Sequence, residues 1–134
     1  DLTKLYVDHE GYNDFDLNYS IDLLIYSEGV SYDGNSPSGT TDGSGVVLDM
    51  AFPEDTVTSG SYSYSTSTDD NTFSDFSDAF TSPGDYREYF AGGTVDITVD
   101  GENYTIEGTV TDDNGDTVTF SYDGPATEEF AAES

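Results

Sequence analysis

The sequence predicts an all-β protein, an antiparallel β-sandwich or partly open β-barrel of about seven strands. Three observations predict it. Several stretches alternate apolar and polar residues with a period of two. Turn-forming Gly, Asn and Asp separate these stretches at short intervals. Eleven Tyr and eight Phe supply bulky core side chains in a chain that has no Trp and no Cys. The length of 134 residues is that of one domain.

The C-terminal third carries the clearest strand signal, a predicted three-stranded meander. Its strands are 94–99, 103–111 and 117–122, in which apolar residues occupy every second position. Opposed residues of an antiparallel pair point to the same face of the sheet. Val99 should therefore face Tyr104, which leaves a two-residue loop at 101–102. A glycine in its first position suits a type II′ turn.

The second hairpin of the meander requires a three-residue loop. Val110 must face Val118 to keep both side chains on the apolar face. A loop at 113–115 with its glycine in a left-handed conformation satisfies that pairing, whereas a two-residue loop breaks it. This register also places Gly108 opposite Phe120, whose ring would cover the glycine.

The N-terminal half is less regular and is also predicted to be β. Stretch 18–26 alternates, with apolar residues on both faces, so we expect cover on both sides. Stretches 46–52 and 61–66 alternate as well. Stretch 33–45 is a loop by its Gly, Ser and Asp content. Three phenylalanines at helical spacing predict a short helix near 74–80.

We expect a single β domain over residues 1–134, because no linker divides the chain. The stretches 1–10 and 125–134 show weaker patterns and are expected as mobile tails. There is no apolar run of the roughly 18 residues that a membrane span needs, so direct membrane insertion is not expected.

Charge is the dominant compositional feature. Twenty-nine acidic residues against one Lys and one Arg give a formal net charge of −27. Nucleic-acid binding is excluded because it depends on Lys and Arg. Three interpretations stay open: a solvated surface that resists aggregation, a halophilic adaptation to high salt, and binding of Ca²⁺ by clustered carboxylates.

Two parts of the chain resemble a known class of proteins. Stretch 19–64 contains Y-x-I-x-L-x-x-Y-S, G-V-S-Y-D, V-x-L-D-M-x-F and G-S-Y-S-Y. Stretch 93–124 contains G-T-V-D-I-T-V and D-G-E-N-Y-T-I-E-G-T-V-T-D-D-N-G. Together they are similar to small secreted lipoproteins of Bacteroidetes, although this chain is poorer in Lys and lacks the lipid-bearing Cys.

That resemblance implies an extracellular, cell-surface or periplasmic location, lipid attachment upstream of Asp1, and no established activity. Two short stretches, D-T-V at 55–57 and at 116–118, also resemble the O-glycosylation pattern of that phylum. The resemblance thus implies glycosylation at Thr56 and Thr117.

Candidate chemistry is sparse. His9 is the only histidine, and we interpret it as an exposed side chain near the chain start rather than a catalytic base. Paired carboxylates could hydrolyse glycosides, but 29 acids make pairs inevitable and uninformative. The sequence therefore predicts no catalytic residues and no enzyme.

Binding residues can be proposed for two kinds of ligand. A tyrosine patch could stack on a glycan or contact a protein, unless these rings fill the core: Tyr62, Tyr64, Tyr86 and Tyr89. Oxygen ligands for Ca²⁺ could come from two acidic groups. These are Asp69, Asp70, Asp75 and Asp78 in the irregular segment, and Asp112, Asp113 and Asp116 in the hairpin turn.

The sequence favours a non-catalytic extracellular or cell-surface protein with a binding or structural role. The alternative is a subunit of an extracellular filament that self-assembles by strand addition, with 1–10 and 125–134 as donor segments. A small secreted enzyme is the third hypothesis.

Overall fold

The computed structural model describes residues 2–14, 17–34, 37–39, 43–66, 69–74, 77–80 and 87–131. These residues form twelve β-strands and no helix, so no described helix could cross a membrane. The strands are β1 (Leu2–Asn13), β2 (Asn18–Ser27), β3 (Val30–Tyr32), β4 (Pro37–Gly39), β5 (Gly45–Phe52), β6 (Gly60–Tyr64), β7 (Thr72–Phe73), β8 (Asp78–Phe80), β9 (Arg87–Asp100), β10 (Asn103–Asp112), β11 (Thr117–Pro125) and β12 (Glu128–Phe130).

Five strands close into a ring. β5 pairs with β8 and β7 at different points along its length. β8 and β6 both pair with β9, and β6 pairs with β7 in parallel. The short strands β7 and β8 therefore join the two long strands at separate corners. This arrangement removes sheet edges at the centre of the molecule.

The remaining strands extend the ring in two directions. β10 and β11 continue from β9, and β2, β1 and β12 continue from β5. The path β11-β10-β9-β8-β5-β2-β1 is an antiparallel barrel of seven strands that is open between β11 and β1. The predicted all-β fold, a partly open barrel of about seven strands, is confirmed.

The core lies between the inward faces of these strands. The residues that fill it alternate along each strand, as the period of two requires. Fully buried members include Leu5, Ile21, Leu23, Leu48, Phe52, Tyr62, Phe73, Phe90, Val95 and Ile106. A second cluster lies on the outer face of β1 and β2, formed by Tyr6, Leu24, Tyr26 and Val30. The predicted cover on both sides of 18–26 is therefore confirmed.

The meander has the predicted register. Val99 lies opposite Tyr104, and Gly101 has a φ of 62° in the two-residue turn. Val110 lies opposite Val118. The N–H of Asp112 donates to the carbonyl of Asp116 at 2.9 Å, which closes a three-residue loop in which Gly115 has a φ of 87°.

Phe120 covers Gly108, as the register predicts. A Cβ atom built on Gly108 would lie 2.1 Å from the ring of Phe120. The glycine is thus required by the close approach of the ring and not by its backbone angles. Phe120 in turn stacks on Phe90 at a centroid distance of 6.3 Å, which links the meander to the ring of five strands.

The predicted helix near 74–80 is wrong. Its described residues Ser74 and Ser77 are non-helical, and β8 begins at Asp78. The backbone groups of this stretch bond to neighbouring strands: Ser74 N–H donates to the Asp49 carbonyl, and Phe90 N–H donates to the Ser77 carbonyl, each at 2.9 Å. Tertiary pairing thus overrides the helical spacing of the phenylalanines.

Other stretches are more ordered than expected. β4 lies inside the predicted loop 33–45 and pairs with β3. The segments expected as tails also contribute strands: residues 2–10 lie in β1, and β12 pairs with β1 in parallel, Tyr6 opposite Glu128. Leu5 and Val7 are buried, so the apolar face of β1 holds this segment in the sheet.

Candidate functional site

One edge of β11 could accept a strand of another chain. In the described part of the structure β11 pairs with β10 alone. Residues of an antiparallel pair alternate between bonding the partner strand and facing away from it. Because Asp116 bonds Asp112, the odd-numbered residues from 117 to 123 direct their backbone groups to the open side. β1 approaches the end of β11, where Leu2 lies near Ser121 and Asp123, so the part of the edge with which an added strand could pair is 117–121.

A groove runs beside this edge, at the opening of the barrel. It has a volume of about 360 Å³ and is lined by residues 118–121 of β11 on one wall. Leu2, Val46 and Ala79 contribute apolar surface from the other side. The ring of Phe120 is 9 % exposed here. The groove therefore combines a polar backbone edge with apolar surface.

A row of carboxylates crosses the outer face of β1, β2 and β5. Asp22 on β2 lies directly between Asp8 on β1 and Asp49 on β5. Like charges at directly opposed positions destabilise a sheet. Tyr32 on β3 donates a hydrogen bond of 2.6 Å to Asp8, and Ser74 donates one of 2.6 Å to Asp49.

A retained proton relieves the repulsion within this row. Burial raises the pKa of Asp22 to about 9, and the negative charges of Asp49 and Glu10, together with hydrogen bonds to both groups, add to the shift. The pKa of Glu10 is also raised, first by burial and then by the charge of Asp8. Asp22 is therefore a neutral carboxyl group at pH 7, able to donate a hydrogen bond to a neighbouring carboxylate.

A small polar pocket lies at one end of the row. Its volume is about 110 Å³, and Asp49, Ser20, Asn13, Asn18 and Ser74 contribute to its lining. Asp22 does not line it. The carboxyl group with the raised pKa is thus separated from the space in which a substrate could bind.

The interpretation of His9 as an exposed side chain is wrong. Its side chain is 12 % exposed and lies between two carboxylates. Nδ1 is 2.7 Å from Asp55 and Nε2 is 3.1 Å from Glu129. Burial lowers the pKa of His9, but the hydrogen bonds to Asp55 and Glu129 outweigh it and raise the pKa above the usual value. His9 thus ties the loop after β5 to β12.

Among the described residues, the two predicted groups of calcium ligands come together only in part, since Asp112 and Asp113 lie close to each other. Asp69 and Asp70 are exposed in a turn, whereas Asp78 is buried on β8. Asp75 lies outside the described residues. Asp78 is opposite Val47, whereas Thr72, which follows the turn, is opposite Ala51. Four residues of an extended strand correspond to roughly 13 Å, so Asp78 and the turn are well separated.

The hairpin carboxylates have a structural role and one unpredicted neighbour. Asp112 Oδ1 accepts hydrogen bonds from the N–H groups of Asn114 at 3.0 Å and Asp116 at 2.9 Å, which stabilises the turn. Carboxylate oxygens of Glu88, Asp112 and Asp113 lie within 4.8 Å of one another. Asp116 is not part of this cluster. Asn114 donates to Glu88 at 2.7 Å, which links the hairpin turn to β9.

The predicted tyrosine patch does not assemble. Tyr62 is 1 % exposed in the core, and its hydroxyl donates to the carbonyl of Thr58. Tyr64 is half-buried against Phe73. Tyr89 is 43 % exposed, and Tyr86 lies outside the described residues. The core interpretation thus applies to Tyr62 and, in part, to Tyr64.

The two threonines of the glycosylation pattern are both exposed. Thr56 lies in the loop after β5, and Thr117 begins β11. Exposure is required for modification but does not indicate it, so glycosylation stays a prediction.

Comparisons of this chain with protein families, with curated proteins and with solved structures found no match in any of the three. The resemblance to Bacteroidetes lipoproteins therefore stays a prediction.

Sequence reasoning missed the carboxylate row and the edge groove. One signal for the row is present: Asp22 is the charged residue in the middle of 18–26, a strand expected to be covered on both faces. A charged residue enclosed in this way needs a partner or a shifted pKa. The order of the strands decides which residues surround Asp22, and that order is not evident from the sequence.

Proposed function

We propose that this protein is a non-catalytic extracellular or cell-surface binding protein, and that its binding element is the free edge of β11. The observation that carries the proposal is the edge itself: the outward-facing Thr117, Thr119 and Ser121 lie beside a groove with polar and apolar lining. Natural proteins usually cover or shorten such an edge because it recruits other chains. The part of this edge at 117–121 suits the recognition of a partner.

The expected mode of binding is addition of an extended segment to the sheet. The segment would bond the outward N–H and C=O groups of Thr117, Thr119 and Ser121. Its alternate side chains would enter the groove beside Phe120, because side chains of a strand point to opposite faces in turn. Backbone hydrogen bonds would supply affinity, and the groove would supply selectivity.

Self-assembly into a filament by strand addition has weaker support. The donor segments expected for it, 1–10 and 125–134, contribute residues 2–10 to β1 and 128–130 to β12. Each copy also carries a charge of −27, which opposes close contact between copies. A small secreted enzyme has the least support, because Asp22 is set apart from the polar pocket beside Asp49.

A proline substitution tests the proposal at the edge. The N–H of Thr119 faces the open side, so Thr119→Pro removes a binding group without removing a bond to β10. Peptides selected from a random library on the wild-type protein should fail to bind this variant. Thr119→Val is the matched control, because it keeps the N–H and the strand propensity.

Nuclear magnetic resonance then locates the contact. Bound peptides should shift the amide signals of residues 117–123 more than those of the carboxylate row at Asp8 and Asp22. Peptides that bind Thr119→Pro as tightly as the wild type, or that shift signals elsewhere, would contradict a site at β11.

A further inference from the structure

We infer that the segment accepted by β11 is cationic, with Lys or Arg at the alternate positions that face outward and apolar residues at those that face the groove. This inference rests on the proposed function and names the chemistry of its partner. It follows from the charges beside the edge, from the lack of a basic partner for them among the described side chains, and from the apolar residues that line the groove.

Acidic groups flank the outer side of the edge. Glu107 and Asp123 line a second depression of about 430 Å³, which Leu2 and Ser121 also border. Asp96 on β9 lies directly opposite Glu107 on β10. The outer face next to β11 thus holds three carboxylates within a few strand spacings of one another.

These carboxylates have no basic partner among the described side chains. The described ion pairs are those of His9 with Asp55 and Glu129. The Nζ of Lys4 donates to the carbonyl of Val30 at 3.1 Å, away from β11. Asp123 accepts from the neutral Asn103 at 2.9 Å, which leaves its charge uncompensated.

An added cationic strand would meet these charges at close range. Side chains directly opposed on neighbouring strands lie about 5 Å apart at Cβ. An outward Lys or Arg opposite Ser121 would therefore lie near both Glu107 and Asp123. At about 0.15 M salt the screening length is ~8 Å, so attraction between these close charge pairs persists, whereas attraction between distant charges is screened.

The inner wall of the groove favours apolar side chains at the positions of the segment that face it. Val118 and Phe120 face inward from β11, and Leu2 and Ala79 lie across from them. Apolar side chains of the segment would cover these groups, which favours binding by burial of apolar surface. A second copy of this chain offers mostly acidic segments and is disfavoured as the occupant by repulsion.

Synthetic peptides of one length test the inference at about 0.15 M NaCl. They alternate Val with Lys, Val with Thr, or Val with Glu, and a fourth peptide places the same Lys and Val in separate blocks. The alternating Lys peptide should bind about tenfold more tightly than the Thr peptide, as two cross-strand charge pairs would give. The Glu and block peptides should bind more weakly than either.

Backbone methylation separates strand addition from general charge attraction. Two versions of the Lys peptide carry N-methyl groups on alternate residues, either those whose N–H groups face β11 or those whose N–H groups face away. Only the first version should lose binding, because both have the same charge. The variant Glu107→Gln with Asp123→Asn should bind the Lys peptide about tenfold more weakly. The charge-matched control, Glu54→Gln with Asp70→Asn, should not.

The outcomes test the cationic character of the segment separately from the proposed strand-addition site at β11. Equal binding of the Lys and Thr peptides, sensitive to methylation, would overturn the cationic inference and leave the strand-addition site intact. Binding of the Lys and block peptides alike, without sensitivity to methylation, would overturn both, as would no binding by any peptide.

Discussion

Replacing Asp22 by asparagine is expected to stabilise the protein at neutral pH. Asp22 lies between Asp8 and Asp49 and keeps its proton to a pH of about 9. Asparagine has a similar shape, and its NH₂ group can donate the hydrogen bond that the protonated carboxyl donates. The variant therefore keeps the native contact and has no proton to lose.

The sign of the effect follows from linkage between protonation and folding. The unfolded Asp22 loses its proton near pH 4, whereas the native group holds it to about pH 9. Between these values the native state binds one more proton than the unfolded state, so native stability falls as the pH rises. Below about pH 4 both states are protonated and the group has no effect.

The magnitude is up to about 1.4 kcal/mol for each pH unit in that window. Between pH 5 and pH 8, three units, the wild type should lose up to about 4 kcal/mol relative to Asp22→Asn. Glu10 and His9 also have raised pKa values, so they add slopes of the same sign to both proteins. The slope due to His9 cancels in the difference between wild type and variant, which reports Asp22 together with its coupling to Glu10.

Equilibrium unfolding in urea, followed by tyrosine fluorescence at several pH values, measures this difference without changing the ionic strength. Asp96→Asn is the matched control, because it removes one acidic group from an exposed position opposite Glu107. If Asp22→Asn and Asp96→Asn shift stability equally at every pH, Asp22 does not retain a proton and the account of the carboxylate row is wrong.

Three further predictions concern other parts of the molecule. His9→Ala should cost about 1 kcal/mol at pH 5.5 and less above the raised pKa of the histidine, since only the charged form bridges both Asp55 and Glu129 as a donor. Urea unfolding at both pH values checks this, and an equal cost at both would contradict it. Gly115→Val should cost about 1 kcal/mol or more in the same assay, because a β-branched residue resists a φ of 87°, whereas Gly115→Asn should cost less. The melting temperature should rise with NaCl as the charge of −27 is screened. Ca²⁺ should raise the melting temperature more than NaCl of the same ionic strength if it binds at the cluster of Glu88, Asp112 and Asp113, and this extra rise should be smaller in Glu88→Gln.

The meander could be predicted in detail because its information is local. Strands 94–99, 103–111 and 117–122 alternate without interruption, and turn chemistry fixes the two loops between them. The covering of Gly108 by Phe120 follows from that register alone. Two neighbouring hairpins can thus be predicted without reference to the rest of the chain.

The closure of the barrel could not be predicted, because it depends on short strands and distant pairings. β7 has two residues and β8 has three, too few to show a period. The helical spacing at 73–80 was the stronger local signal and was misleading. His9 has partners 46 and 120 residues away, so its sequence neighbours Asp8 and Glu10 indicated the wrong environment.

The parallel pairing of β1 with β12 has a mechanical consequence. Tyr6, Val7 and Asp8 lie opposite residues 128–130, and Thr127 bonds the carbonyl of Leu5 at 2.6 Å. Tension applied at the start of β1 and at the end of β12 would slide two parallel strands past each other along their length. These hydrogen bonds would then carry the load together in shear instead of opening one after another. A protein held at one end and pulled at the other would therefore resist extension first at this small patch, before any strand of the barrel separates.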